Sequence, residues 1–186
     1  MKTPTQTLRE EHRVILHALG VLEAGTDRLT GGGALPEGWW EEAIRWLRAF
    51  ADRNHHAKEE RHLFPALAKA GVPAEGGPVE VMLDEHVEGR ALIAVMESAD
   101  GRGRLDAARR YVHLLREHID KENGVLFPLA DAVLDPHAQQ SLARELETLE
   151  AEQGRDASLD HALAEVERLA AALGRGGGKE THEPIP

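Results

Sequence analysis

Hydrophobic residues recur along the chain with the spacing of α-helices. Apolar positions in the first long segment fall on one stripe, which contains Leu8, His12, Ile15, Leu16, Leu19 and Leu22. Gly- and Pro-rich breaks separate six such segments, which cover residues 5–29, 37–70, 78–98, 104–133, 136–152 and 157–173. No alternating pattern of useful strand length occurs between them, so the sequence predicts helices throughout.

The lengths of these segments predict an architecture. A segment of about 25 residues forms a helix of roughly 37 Å. Four long helices joined by short loops are typical of a bundle, and the last two segments are amphipathic. We therefore predict an all-α fold, an antiparallel up-down four-helix bundle with two additional C-terminal helices. One domain covers residues 5–173, with the bundle in 5–133, the additional helices in 136–173 and a disordered tail at 174–186.

Composition narrows the classes of function. The formal net charge is −11, and an acidic chain repels phosphate backbones, which argues against nucleic-acid binding. The chain has no cysteine, which excludes disulfides, thiolate catalysis and cysteine-bound iron–sulfur clusters. The N-terminus lacks the apolar core of a signal peptide, and no apolar run is long enough for a membrane helix. We expect a cytoplasmic protein, and its 11 histidines are the unusual feature.

One stretch rich in histidine and glutamate occurs twice. HHAKEERHLFP begins at His55, and HIDKENGVLFP begins at His118. Both follow the pattern His-x3-Glu-x4-Phe-Pro, so that Glu59 in the first copy matches Glu122 in the second. A single copy in a charged helix is usually a solvated ion pair. The second copy changes this interpretation and favours side chains that face inward.

A shorter similarity connects the first and third segments. EEH ends at His12 and DEH ends at His86, so each segment carries a histidine directly after a glutamate. The chain therefore reads as a helix with one histidine, a helix with His-x3-Glu, and the same pair again. This order predicts two pseudo-symmetric helical hairpins.

The spacing suits a pair of metal ions. Histidine and glutamate four residues apart lie one turn apart on the same helix face, where both reach one point of a bundle core. Four imidazoles and two carboxylates could hold two first-row ions, with two imidazoles on each ion and both carboxylates bridging. A solvent oxide or hydroxide between the ions would still leave open positions. The ligand types suit iron, manganese or zinc, and the spacing does not choose among them.

These residues resemble the hemerythrin-like family, also called the HHE cation-binding domain, over roughly residues 8–133. The resemblance implies an antiparallel four-helix bundle that holds two non-haem iron ions with an oxo or hydroxo bridge. It implies as iron ligands His12, His55, Glu59, His86, His118 and Glu122. The oxygen-carrying members have a second histidine four residues after the third-helix ligand, where this chain has Arg90. Another side chain could supply that ligand.

The resemblance also carries expectations about function. We expect a non-haem di-iron protein that binds or reacts with peroxide, oxygen or nitric oxide in oxidative or nitrosative stress. As an enzyme it would be a di-iron oxidoreductase, either catalase- or peroxidase-like or reducing nitric oxide or oxygen. The alternatives are a sensing or storage module for oxygen, nitric oxide or iron, and an iron donor for iron–sulfur cluster repair. Its partners would be the small ligand and either an unidentified redox partner or a second copy.

Several polar residues near the repeat are not selected by the alignment. His56 and Glu60 form a competing pair of the same spacing, and we expect His56 to be flanking or exposed. His62 lies two turns beyond His55 and is expected to be a hydrogen-bonded core residue. We expect Tyr111, seven residues before the second copy, to have a packing role.

Other expectations concern the surroundings of the motif. Lys58 recurs in the second copy, and because a cation cannot bind a metal we expect it to face water. Glu11 and Glu85 could orient imidazoles or be solvated, and the sequence leaves both open. Pro65 and Pro128 are expected to end their helices just past the site.

Overall fold

A computed structural model describes residues 2–175, which form helices and connecting loops with no strand in that part of the chain. The all-α prediction is confirmed. The α-helices are α1 (Pro4–Thr30), α2 (Trp39–Trp46), α3 (Phe64–Lys69), α4 (Pro78–Ser98), α5 (Gly101–Lys121), α6 (Phe127–Val133), α7 (Pro136–Gln153) and α8 (Leu159–Arg175). Among the described helices, none combines the length and the apolar character needed to cross a membrane. The tail expected at 174–186 lies outside the described residues, except that its first two residues end α8.

Helix ends follow local capping chemistry. The Thr3 side chain accepts a hydrogen bond from the backbone N–H of Gln6, and the Gln6 side chain accepts one from the backbone of Thr3. This reciprocal pair begins α1. Asp135 caps α7 in a similar way, with a proline at the first helical position. The break predicted between the segments 78–98 and 104–133 is shorter in the structure, because α5 already begins at Gly101.

Two long helices contain wider, π-helical turns. Leu47–His56 and Glu59–Leu63 connect α2 to α3, and Glu122–Leu126 connects α5 to α6. The helical path is therefore unbroken over residues 39–69 and 101–133. Such turns are rare in proteins as a whole, and where they occur they are often at functional sites. Both copies of the His-x3-Glu repeat contain one, and in both it begins at the motif glutamate.

The prediction that Pro65 and Pro128 end their helices is wrong. Each proline lies in the first turn of the α-helix that follows the π turn, α3 or α6. In each copy the backbone N–H of the preceding phenylalanine bonds to the carbonyl of the motif glutamate, five residues back. Because proline has no N–H and its ring clashes with the carbonyl four residues back, a wider turn accommodates it without ending the helix.

Buried apolar residues form two clusters. The larger cluster contains residues of α1, α2, α4, α5 and α8, and the smaller contains residues of α1, α3, α4, α6 and α7. On α1, His12 lies between Leu8 of the smaller cluster and Ile15 of the larger one. On α4, the same relation holds for the histidine between Met82 and Leu92. The two apolar clusters therefore enclose a polar layer that contains the predicted ligands.

Two of the chain's three tryptophans hold α8 in the larger cluster. The indole Nε1 of Trp39 donates to the backbone carbonyl of Leu169 at 2.9 Å, and that of Trp46 donates to Ala162 at 3.0 Å. Both acceptors lie on α8. The third indole, of Trp40, donates to a carbonyl of α4. Because the three indoles are buried, these bonds satisfy donors that would otherwise be costly.

Candidate metal centre

The structure brings together the six predicted ligand residues, and all six are buried. They form two overlapping groups. The first pocket contains His12, His55, Glu59 and Glu122. The second pocket contains His86, His118, Glu59 and Glu122. Within each group every residue offers one ligand atom, and these atoms all lie within 4.8 Å of one another.

Glu59 faces both pockets. One carboxylate oxygen, Oε1, lies 3.6 Å from Nε2 of His55, one turn earlier on the same helical path. The other oxygen, Oε2, lies 3.5 Å from Nε2 of His86 on α4. A carboxylate in this orientation can bridge two cations with one oxygen toward each.

Glu122 has the corresponding position on the other side. Its Oε2 lies 3.1 Å from Nε2 of His12 on α1 and 3.4 Å from Nε2 of His118 on α5. Nε2 of His118 is also 3.1 Å from Nε2 of His86, so the second pocket is narrow. The two glutamates thus lie between the imidazoles of the first pocket and those of the second.

Each of the four imidazoles is held from outside through Nδ1. The pairs are His12 with Asn123 at 3.0 Å, His55 with Glu11 at 2.7 Å, His86 with Glu60 at 2.8 Å and His118 with Glu85 at 2.9 Å. Because carboxylate and amide oxygens accept hydrogen bonds, Nδ1 donates in every pair. The lone pair then lies on Nε2, which faces the pocket, as metal-binding histidines require.

Glu11 and Glu85 therefore orient imidazoles, which is one of the two roles that the sequence allows for them. Each acts on the motif histidine of the neighbouring helix and not on the histidine beside it in sequence. Burial raises the pKa of Glu11, and the nearby Lys58 opposes that rise. The pairing across helices explains why the sequence alone could not assign it.

Glu60 and Asn123 were missed as imidazole partners, although both directly follow a motif glutamate and align in the repeat. Arg90 Nη1 donates to Glu60 Oε1 at 2.9 Å and to Asp52 Oδ1 at 3.0 Å. The hydrogen bond from His86, together with that of the guanidinium, lowers the pKa of Glu60 to about 2. Asp52, Glu60 and Arg90 line an open cavity of about 570 Å³ beside the second pocket.

Within residues 2–175, several buried atoms of the pockets have no hydrogen-bond partner. They include both carboxylate oxygens of Glu59 and of Glu122, and Nε2 of His12 and His55. Burial raises the pKa of Glu59, and the adjacent carboxylate of Glu122 raises it further. Burial lowers the pKa of His55 and of His86, which favours neutral imidazoles. Neutral imidazoles beside paired carboxylates fit divalent first-row cations, which would neutralise the buried charge.

The expectation that His56 is flanking or exposed is wrong. Its ring is buried and stacks on His86, with 3.9 Å between ring centroids and 16° between planes. The centroid of His118 is 5.6 Å away. Burial lowers the pKa of His56 to about 3. Neighbouring residues of an α-helix point about 100° apart, but His56 ends a π-helical segment, which that assumption does not describe.

The expectation that Lys58 faces water is also wrong. Its side chain is 0% exposed, contacts Glu11 and donates to Glu150 Oε2 on α7 at 2.8 Å. The matching Lys121 is 40% exposed and contacts Glu85. Both lysines therefore pair with the carboxylate that holds the motif histidine, and α7 covers only the first.

Two further aromatic side chains differ in outcome. The expectation that His62 lies in the core is wrong, because its side chain is only half-buried. Its Nδ1 lies 3.0 Å from Glu145 Oε2 on α7. Tyr111 packs in the larger apolar cluster, as predicted. In the described part of the chain its hydroxyl has no hydrogen-bond partner, and burial raises the pKa of that hydroxyl.

Comparison with known proteins gives a family match. A sequence model of the hemerythrin HHE cation-binding domain matches residues 3–130. An uncharacterized protein of Mycobacterium bovis and two of Mycobacterium tuberculosis are each 24% identical to this chain over 182 residues. Each match covers 92% of this chain and 71% of the relative. No solved structure gives a significant match.

Proposed function

The chain belongs to the hemerythrin HHE cation-binding family, and on this premise we propose that it is a di-iron protein for small oxidants. It binds or reacts with peroxide, oxygen or nitric oxide in oxidative or nitrosative stress. One observation carries the proposal. Two buried glutamates, which have no hydrogen bond to any described residue, each face imidazoles of both pockets, and this supports a pair of cations rather than one.

The proposed iron ligands are His12, His55, Glu59, His86, His118 and Glu122. Iron bound there would supply the redox chemistry and a position for a small molecule. The protein's own groups prepare the site. The outer hydrogen bonds fix each imidazole with Nε2 toward the pocket, and the carboxylates provide the negative charge. The apolar clusters on both sides keep bulk water away from the polar layer.

The finer architecture is part of the same proposal. The four long helices are α1, the helical path over residues 39–69, α4 and the helical path over residues 101–133. They would form the antiparallel up-down bundle, with α7 and α8 as the two additional helices. Packing of α1 on α5 and α8, and of α4 on α5, supports this arrangement. A cytoplasmic location, the lack of nucleic-acid binding, and a redox partner or second copy are proposals that rest on the sequence.

Metal loading and oxidant titration test the proposed function. Protein loaded anaerobically with ferrous iron should retain two irons per chain. Exposure to oxygen, hydrogen peroxide or nitric oxide should then change its absorption spectrum. His55→Ala should lose iron, whereas His113→Ala, which alters an exposed imidazole, should not. Failure of the wild-type protein to retain iron would contradict the proposal.

The same titration separates the kinds of function. Catalytic release of oxygen from peroxide would mark an oxidoreductase. Oxygen binding that reverses when oxygen is removed would mark a carrier or sensor. Loss of iron in proportion to the oxidant added would mark an iron donor. A dissolved-oxygen electrode and metal analysis of the protein before and after exposure provide the readings.

A further inference from the structure

One buried imidazole at the second pocket is outside the proposed ligand set. His56, His86 and His118 can each offer one ring nitrogen, and these three nitrogens lie within 4.8 Å of one another. Both ring nitrogens of His56 are buried and have no hydrogen-bond partner among the residues that the structure describes. The carboxylate of Asp52 lies 3.8 Å from Nδ1, which is too far for a direct hydrogen bond.

A packing role alone does not account for His56. Burying a polar group without a hydrogen bond is unfavourable, so an apolar side chain would fill the same space better. The chain itself contains that comparison. In the second copy of the repeat the matching position is Ile119, which is buried in the larger apolar cluster. An imidazole at position 56 therefore indicates a polar partner.

We propose that His56 is a ligand of the second metal ion, in addition to the six residues that the repeat selects. This inference rests on the proposed function. The second pocket then has three imidazoles, from His56, His86 and His118, and the first has two. Both share Glu59 and Glu122.

The adjacent histidines would thus serve different ions from one helix. His55 faces the first pocket, and the His55 and His56 ring centroids are 5.8 Å apart at an interplanar angle of 55°. The His56 ring instead lies against His86 of the second pocket. The π-helical segment that ends at His56 gives the backbone in which both side chains point into the core.

The test replaces the imidazole of His56 with side chains of similar size, so that no cavity is created. His56→Phe keeps a ring against His86 and removes both nitrogen donors, and His56→Ile introduces the side chain that the second copy uses. His62→Phe is the matched control, because its imidazole contacts Glu145 away from the pockets. Circular dichroism of all three variants verifies folding before metal is added. Ferrous iron is the probe, loaded anaerobically and competed with a chelator of known affinity.

We expect wild-type and His62→Phe protein to hold two irons. In the folded His56 variants one iron should bind more weakly, by more than the roughly 10- to 100-fold cost of losing an outer hydrogen-bond partner. X-ray absorption should detect one fewer imidazole per iron pair. Unchanged affinity and imidazole scattering in a folded His56 variant would overturn this inference and leave the proposed function intact. Wild-type protein that does not hold two irons would overturn both.

Discussion

The two copies of the repeat, residues 55–65 and 118–128, have similar backbones and unequal surroundings. Each has a π turn that begins at its glutamate and a proline in the following α-helical turn. In the first copy Lys58 is fully buried between Glu11 and Glu150, whereas Lys121 in the second copy reaches solvent. Helix α7 causes this difference because it packs over the first copy.

The copies also differ at two polar positions. His56 and Ile119 occupy one matched pair, and Glu60 and Asn123 occupy the other. The second pair holds the imidazoles of α4 and α1, one with a charged carboxylate and the other with a neutral amide. The residues that the two copies share, the motif histidine and glutamate, are common to both pockets. The two matched positions at which the copies differ make the pockets chemically different. The following predictions test that distinction.

The largest expected effect comes from the shared carboxylates. Glu59→Ala or Glu122→Ala should remove both irons, because each side chain faces both pockets. His12→Ala should weaken only the iron of the first pocket. Metal analysis of anaerobically loaded protein measures the difference. A glutamate variant that keeps one tightly bound iron would show that its carboxylate does not bridge.

Replacement of the matched lysines should lower the unfolding free energy by different amounts in the two copies. Lys58→Met leaves Glu11 buried without its cation and should cost about 3–5 kcal/mol of unfolding free energy. Lys121→Met removes a partly exposed ion pair and should cost about 1 kcal/mol or less. Denaturant unfolding of both metal-free variants provides the test. Equal losses would mean that burial beneath α7 does not distinguish the copies.

Exchange of the outer partners should change metal affinity by a smaller amount. Glu60→Gln removes the anion that holds His86 and should weaken the second iron by about 10- to 100-fold. Asn123→Asp gives His12 an anionic partner beside Arg9 and should strengthen the first iron. Chelator competition measures each affinity. The same direction of change in both variants would contradict the assigned roles.

The last prediction is a pH slope in the unfolding free energy of the metal-free protein. The pKa of His56 is about 3 in the folded state, below its ordinary value of 6.5. As pH falls below 6.5, the unfolded chain gains a proton here that the folded chain does not, so acid destabilises the fold. One such proton contributes a slope of about 1.4 kcal/mol per pH unit. His56→Phe should reduce the slope of unfolding free energy against pH by that amount, and an unchanged slope would contradict it.

The sequence pattern predicts those features of the structure that depend on a single helix. Helix α4, from Pro78 to Ser98, agrees with its predicted segment because Gly, Pro and a short loop define its ends. The six predicted ligands come together because four-residue spacing places His55 and Glu59 on one face, and the repeat transfers that face to the second copy.

The remaining features depend on contacts between helices. Lys58 is buried because α7 supplies Glu150, about ninety residues later in sequence. The orientation of His56 depends on a π-helical segment, which the regular helical period does not encode. Glu60 acts on His86 of another helix. Periodicity assigns a residue to a face, but it does not identify the side chains that another helix brings to it.

The tryptophans that hold α8 also give the protein a fluorescence signal that is distinct from the absorption of bound iron. All three indoles of the chain lie in the larger apolar cluster, and two donate to α8. Release of α8 would expose Trp39 and Trp46 to water and move the emission maximum to longer wavelength. The absorption of bound iron would report the pockets. Fluorescence wavelength and visible absorption could therefore follow docking of α8 and metal filling separately in one sample.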